Sequence, residues 1–300
     1  MVSKEEKIPT NVIIFAPDKW GEVLKFRHFA APTYNLPLYA NAALIGIDGH
    51  FEKYTILMKI GQGLAPKLIE DYEELTKQGY SKATRSKELA SIIDTLFCEL
   101  YSAADCTRTV IGAIYGKFQN VPTNSTSRLF ENAGKNMIDK RVPLEIRNAL
   151  KEGQNDWFPR LKEIRDAINH FGIGSCSEHN GKISYYHDRL GKTIYNVLVT
   201  DDAFQEVSKY ADNVNKFLGR VFHCLNLTLK DIETIQICGI FGSLVYQRSV
   251  SPIEARDFHS GKCKSFESFE KGLMPTCPSI KSCGAYPHVS EKRAADKKDI

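Results

Sequence analysis

The chain contains no uncharged apolar run near the roughly 18 to 20 residues of a membrane-spanning helix. Its opening stretch, MVSKEEKIPTNVIIFAPDKW, has no apolar core long enough for a secretory signal. Membrane insertion and export are therefore not expected, and a soluble, cytoplasmic protein is. Strong charge of one sign is also missing: 40 basic against 36 acidic side chains leave a formal net charge of +4. That balance permits an anionic partner without requiring one, so nucleic acid has to be argued from a site. No internal repeat or low-complexity tract occurs.

Close cysteine pairs are absent as well. The eight cysteines stand at 98, 106, 176, 224, 238, 263, 277 and 283. Several lie inside apolar helical patterns, where a thiol behaves as a small buried hydrophobe, the usage of a reducing compartment. Cys263, Cys277, Cys283 and His288 are ligand types for zinc, yet their spacings of 14, six and five residues match no common module. No metal and no cofactor is expected. The fragments "GQG" at 61–63 and "GKT" at 191–193 lack the rest of any phosphate-binding fingerprint and read as turns.

What is present is enough apolar material, 42% of 300 residues, to bury a sizeable core. Residues 1–80 read as a mixed α/β extension, with short strands at Val12 to Phe15 and Ala42 to Ile47 and a helix opened by Pro66 and closed by Gly79. Residues 81–230 read as a helical domain. From Ser81 to Phe118 apolar residues recur at steps of three and four, predicting a helix of about 30 residues. Shorter helices follow near Ser127 to Lys140, with Ser127 as cap, and from Pro143 through Leu150. Asp201 or Asp202 caps a last long helix to about Leu227. "KISYYHD" and "KTIYNVLVT" flank "RLG" and read as a β-hairpin inserted between helices. Residues 231–300 form a C-terminal extension, with one or two strands in "ETIQICGIFGSLVYQ" and a mobile charged tail. The fold class is therefore mainly α: a helical bundle with an inserted hairpin and small mixed flanking regions.

One helix carries most of the chemistry. In "LKEIRDAINHFGIG", residues 161–174, Leu161, Ile164, Ile168 and Phe171 fall on one stripe and predict the buried face. Arg165, Asp166, Asn169 and His170 spread over about 140° of the opposite side. Spacing of i,i+4 pairs Asp166 with His170 and Arg165 with Asn169, so a carboxylate can orient the imidazole. On helical geometry alone the same face also reads as an ordinary solvated surface. His179 and His187, flanking the hairpin, either approach the site through the loop after Gly172 or are exposed, exposure being the favoured reading, and Tyr185, Tyr186 and Tyr195 suit either a half-buried strand or stacking on RNA bases.

The stretch "IRDAINHFG" resembles the motif of the HEPN superfamily: an arginine, a polar residue directly after it, and a histidine four to six residues further on, near the end of a helix. Arg165, Asp166 and His170 fill those places, and Asn169 is a common neighbour. The upstream helix around "LFCELYSAADCTRTVIGAIYGKF" resembles the first helix of that family, and the resemblance covers roughly residues 82–227. It implies a metal-independent endoribonuclease that dimerises through the motif helix, uses a composite Arg/His site on RNA, and works in antiviral defence or as a toxin held by an antitoxin or defence-complex partner. Some members of the family are non-catalytic, so an RNA- or nucleotide-binding scaffold or sensor subunit is the alternative.

Overall fold

A computed structural model describes residues 21–188, 196–241, 243–255, 260–287 and 291. In chain order the helices are α1 (Glu22–Phe29), α2 (Leu38–Leu64), α3 (Leu68–Gln78), α4 (Thr84–Tyr115), α5 (Thr126–Gly134), α6 (Leu144–Asn155), α7 (Phe158–Phe171), α8 (Ala203–Asn226) and α9 (Phe266–Glu270). The strands are β1 (Ser175–His179), β2 (Lys182–Asp188), β3 (Asn196–Thr200), β4 (Thr234–Phe241), β5 (Leu244–Val250) and β6 (Lys262–Cys263). The protein is mainly helical, as its periodicity predicts. Among the described residues no helix is long and apolar enough to cross a membrane.

The described residues fall into two compact units, residues 36–221 in one and residues 21–35 with those from 222 onward in the other. The central unit is built on α2 and α4. The strand expected at Ala42 to Ile47 is helix instead: Ala40, Ala43, Leu44, Ile47 and Phe51 are all buried, at the helical step. A short apolar run fits either element, and only packing against a long neighbour decides it. "GQG" lies at the end of the same helix, not in a turn; a side chain at Gly61 would press on Ile92 and Phe204.

The other helices follow the sequence more closely. Pro66 sits in a short 3₁₀ turn leading into α3, and Gly79, at φ +75°, ends that helix in the left-handed conformation glycine tolerates. α4 buries Leu89, Ile93, Leu96, Phe97, Leu100, Val110 and Ile111. α5 is shorter than expected and is capped by Ser125, whose hydroxyl accepts the Arg128 N–H at 3.3 Å, rather than by Ser127. Phe130, Trp157, Phe158 and Phe217 form an aromatic cluster in which Phe130 and Phe158 stack at 3.8 Å. The Asp202 carboxylate caps α8, accepting the Gln205 N–H at 3.1 Å.

β1, β2 and β3 form an antiparallel sheet, so the expected hairpin strands pair, and β1 is an added strand on the other edge of β2. The turn residues "RLG", the "GKT" fragment and Tyr195 lie outside the described residues, as do Val12 to Phe15. The second unit carries the antiparallel sheet β4–β5–β6. Within it, Glu22 of α1 accepts hydrogen bonds from the Asn226 amide at 2.6 Å and faces His223 Nδ1 at 3.1 Å.

Candidate functional site

The motif helix α7 starts with Pro159 in its first turn, where a missing N–H costs nothing, and stops at Gly172. Gly172 adopts φ +98° and ψ −160°, a region open essentially to glycine alone. The helix buries Phe158, Leu161, Ile164 and Ala167. The expected stripe is thus corrected at its end, because Ile168 is only half-buried and Phe171 is 44% exposed. The chain turns away at Gly172, and among the described residues that last turn stays largely exposed.

Arg165 and Asp166 are half-buried, while Asn169 and His170 are exposed. Asp166 does not take the role of orienting His170. It accepts instead from Lys162 Nζ at 2.7 Å and from Arg165 Nη1 at 2.9 Å. Burial opposes its charge, but those two donors outweigh the burial and hold its carboxyl below the usual range. The two cations sit one turn before it and directly beside it. The Arg165–Asn169 pairing is not formed either; the guanidinium lies over the Tyr101 ring, 4.7 Å from its centre. His170 makes an edge contact with Phe171.

Arg165 stands at a polar cleft of about 250 Å³ lined also by Ser102 and Asp105 of α4 and by Asn124, Ser125 and Ser127 at the start of α5. Asp105 organises this cleft. It accepts from Arg108 Nη2 at 2.9 Å and from the Thr126 hydroxyl, tying α4 to the first turn of α5. Hydroxyls, one amide and a stacked guanidinium offer donors to phosphate or ribose oxygens, while the Asp105 carboxylate, paired with Arg108, opposes an anion there.

Behind the end of α7 lies a buried network that sequence reading missed. Asp94 of α4 accepts the Tyr185 hydroxyl of β2 and the Gly174 N–H at 3.3 Å. His187 is fully buried, not exposed as expected, with Nε2 3.0 Å from the Gly172 carbonyl oxygen and Nδ1 2.7 Å from that of Asp188. Burial raises the Asp94 carboxyl above its ordinary value despite these donors, and burial with the Asp94 charge drives the Tyr185 hydroxyl far upward. The network clamps the chain on both sides of Ile173, and so fixes where α7 ends. Its signal in the sequence is a carboxylate at a core position: Ala90, Asp94 and Phe97 share the buried face of α4.

Tyr185 is therefore a core residue, Tyr186 is half-buried, and His179 is exposed as expected. Cys263, Cys277 and Cys283 come together with Cys238 around one small cavity, while His288 lies outside the described residues. Compared with family models, curated proteins and solved structures, the chain matches none.

Proposed function

We propose that this chain is a metal-independent endoribonuclease of HEPN type, acting as a homodimer through α7 in an antiviral or toxin system. The observation that carries the reading is the pairing, on one helix, of Arg165 stacked at the mouth of a polar cleft with His170 exposed five residues later. Five residues are about 140° on a helix, so the two side chains of one copy stand at opposite edges of the polar face. A second copy related by a two-fold axis supplies the missing half of each site. Exposed Phe171 and Ile173, 44% and 49%, flank His170 and offer apolar surface for that copy to cover.

In this scheme one His170 takes the proton of the ribose 2′-hydroxyl and its symmetry mate protonates the leaving 5′-oxygen. Arg165 from both copies binds the phosphate and stabilises the charge of the phosphorane. Asp166 and Lys162 keep the Arg165 side chain in place, and Asn169 borders the site.

The test is cleavage of total RNA or tRNA by purified protein. Arg165→Ala and His170→Ala should each lower the rate by about 10²-fold or more while the melting temperature stays near that of the wild type. Unchanged cleavage by His170→Ala would end the proposal. A second reading, a non-catalytic RNA- or nucleotide-binding scaffold, draws on the Asp166 carboxylate that already neutralises Arg165. Retained RNA binding in fluorescence anisotropy, without cleavage by the wild type, favours it.

A further inference from the structure

Four thiols that no motif spacing connects line one cavity in the C-terminal part of the chain: Cys238 of β4, Cys263 of β6, and Cys277 and Cys283 in the turns after α9. The cavity measures about 20 Å³, room for one water-sized atom and too little for a multi-iron cluster. We propose that these four cysteines are the ligands of a single, tetrahedrally bound zinc-class divalent ion.

Each cysteine is presented by a local device. The β4–β5 register shifts between Ile237 and Gly239, leaving Cys238 as the extra residue of a bulge, which re-aims a side chain out of the regular pleat. Burial pushes the Cys263 thiol up, and the backbone N–H groups of Ser265 and Phe266 beside its sulfur offset part of that. Cys277 and Cys283 each open a tight turn, with Ile280 N–H donating to the Cys277 carbonyl at 3.0 Å and Tyr286 N–H to the Cys283 carbonyl at 3.3 Å. Cys263 N–H donates to the Ala285 carbonyl at 3.2 Å and so ties β6 to the second of these turns. Arg248, 3% exposed, also lines the cavity and places positive charge near Cys238.

The segment also needs a staple. Residues 260–287 hold a two-residue strand, a five-residue helix and turns, while β4 leaves Ile235, Ile237 and Ile240 exposed. So little secondary structure buries little, and small units of this kind are commonly closed by metal or disulfide. All eight cysteines are free thiols. Among the described residues no three His, Cys, Asp or Glu side chains already stand in metal-binding geometry. Binding therefore draws the sulfurs in, to the separation of about 3.8 Å set by Zn–S bonds of about 2.3 Å. Each thiol that ligates gives its proton to solvent, so affinity rises with pH. Four thiolates around a divalent cation leave two negative charges, which Arg248 partly offsets.

The experiment uses the full chain, purified under reducing conditions without chelator. Elemental analysis should find about one zinc per chain, and replacement by Co²⁺ should give intense visible bands of a tetrahedral site with sulfur-to-cobalt charge transfer. Cys238→Ser and Cys283→Ser should each cut the zinc content to less than half, whereas Cys98→Ser and His170→Ala keep it, which separates this site from the nuclease reading. If the serine variants fail to fold, the cobalt spectrum of the wild type decides. A reduced chain that carries no zinc and shows no such bands on Co²⁺ titration, a zinc content that survives Cys238→Ser, or disulfides among these four thiols by mass spectrometry would each overturn the proposal.

Discussion

At the scale of single residues, Asp94 is the most consequential side chain outside the motif. It is 7% exposed and is the acceptor for two donors from different segments, the Tyr185 hydroxyl and the Gly174 amide. Asp94→Ala strands both, at about 1–3 kcal/mol for each buried unsatisfied donor, and should show as a clear loss in denaturant midpoint. Its ionisation has a definite sign. The folded carboxyl lies above its ordinary value, so between the unfolded and folded values the native state holds the extra proton. Its contribution is therefore complete at low pH and is lost as pH rises through the folded value. Asp94→Asn removes that titration. Relative to this variant, the wild type should lose stability as pH rises from about 4 towards neutral, and equal slopes for the two proteins would contradict the assignment.

At the scale of elements, the end of α7 is set by two glycines and not by its apolar stripe. Gly172 is held at φ +98°, and a Cβ at Gly174 would collide with the Tyr185 ring and lie 2.7 Å from the Tyr186 carbonyl oxygen. Gly172→Ala should cost about 1–3 kcal/mol from backbone strain. Gly174→Ala should cost at least as much, and under the proposed nuclease reading it should also lower RNA cleavage by displacing the clamp; thermal melts and cleavage assays on the same preparations check both. Elements with a long period were legible beforehand: α4 and α8 read directly from three- and four-residue steps, and the glycine stop of α7 from Gly172. α2 was not. Its apolar residues are broken by Gly46, Gly49 and Gly61 and by exposed Ile45, Ile56 and Ile60, so only the long face it lays on α4 reveals it as a helix. The capping of α5 by Ser125 rather than Ser127 is a shift of two residues that propensity does not resolve.

At the scale of the whole molecule, the nuclease reading requires two copies. Light scattering on purified protein should give a dimer, and Phe171→Glu, which puts a charge into the exposed apolar patch beside His170, should shift it to monomer and lower cleavage together. A wild-type monomer that cleaves RNA at full rate would remove the composite site.

By itself the sequence determined the helical character, the position of Arg165, Asp166, Asn169 and His170 on one polar face, and the glycine that ends their helix, because all three depend on residues within a few turns of one another. The partners were decided by tertiary structure alone. Arg165 stacks on Tyr101 of α4, Asp94 meets Tyr185 across 91 positions of chain, and Cys238 joins cysteines 25 to 45 residues further on. Such contacts depend on which surfaces pack together, a property of three-dimensional closure that local periodicity does not encode.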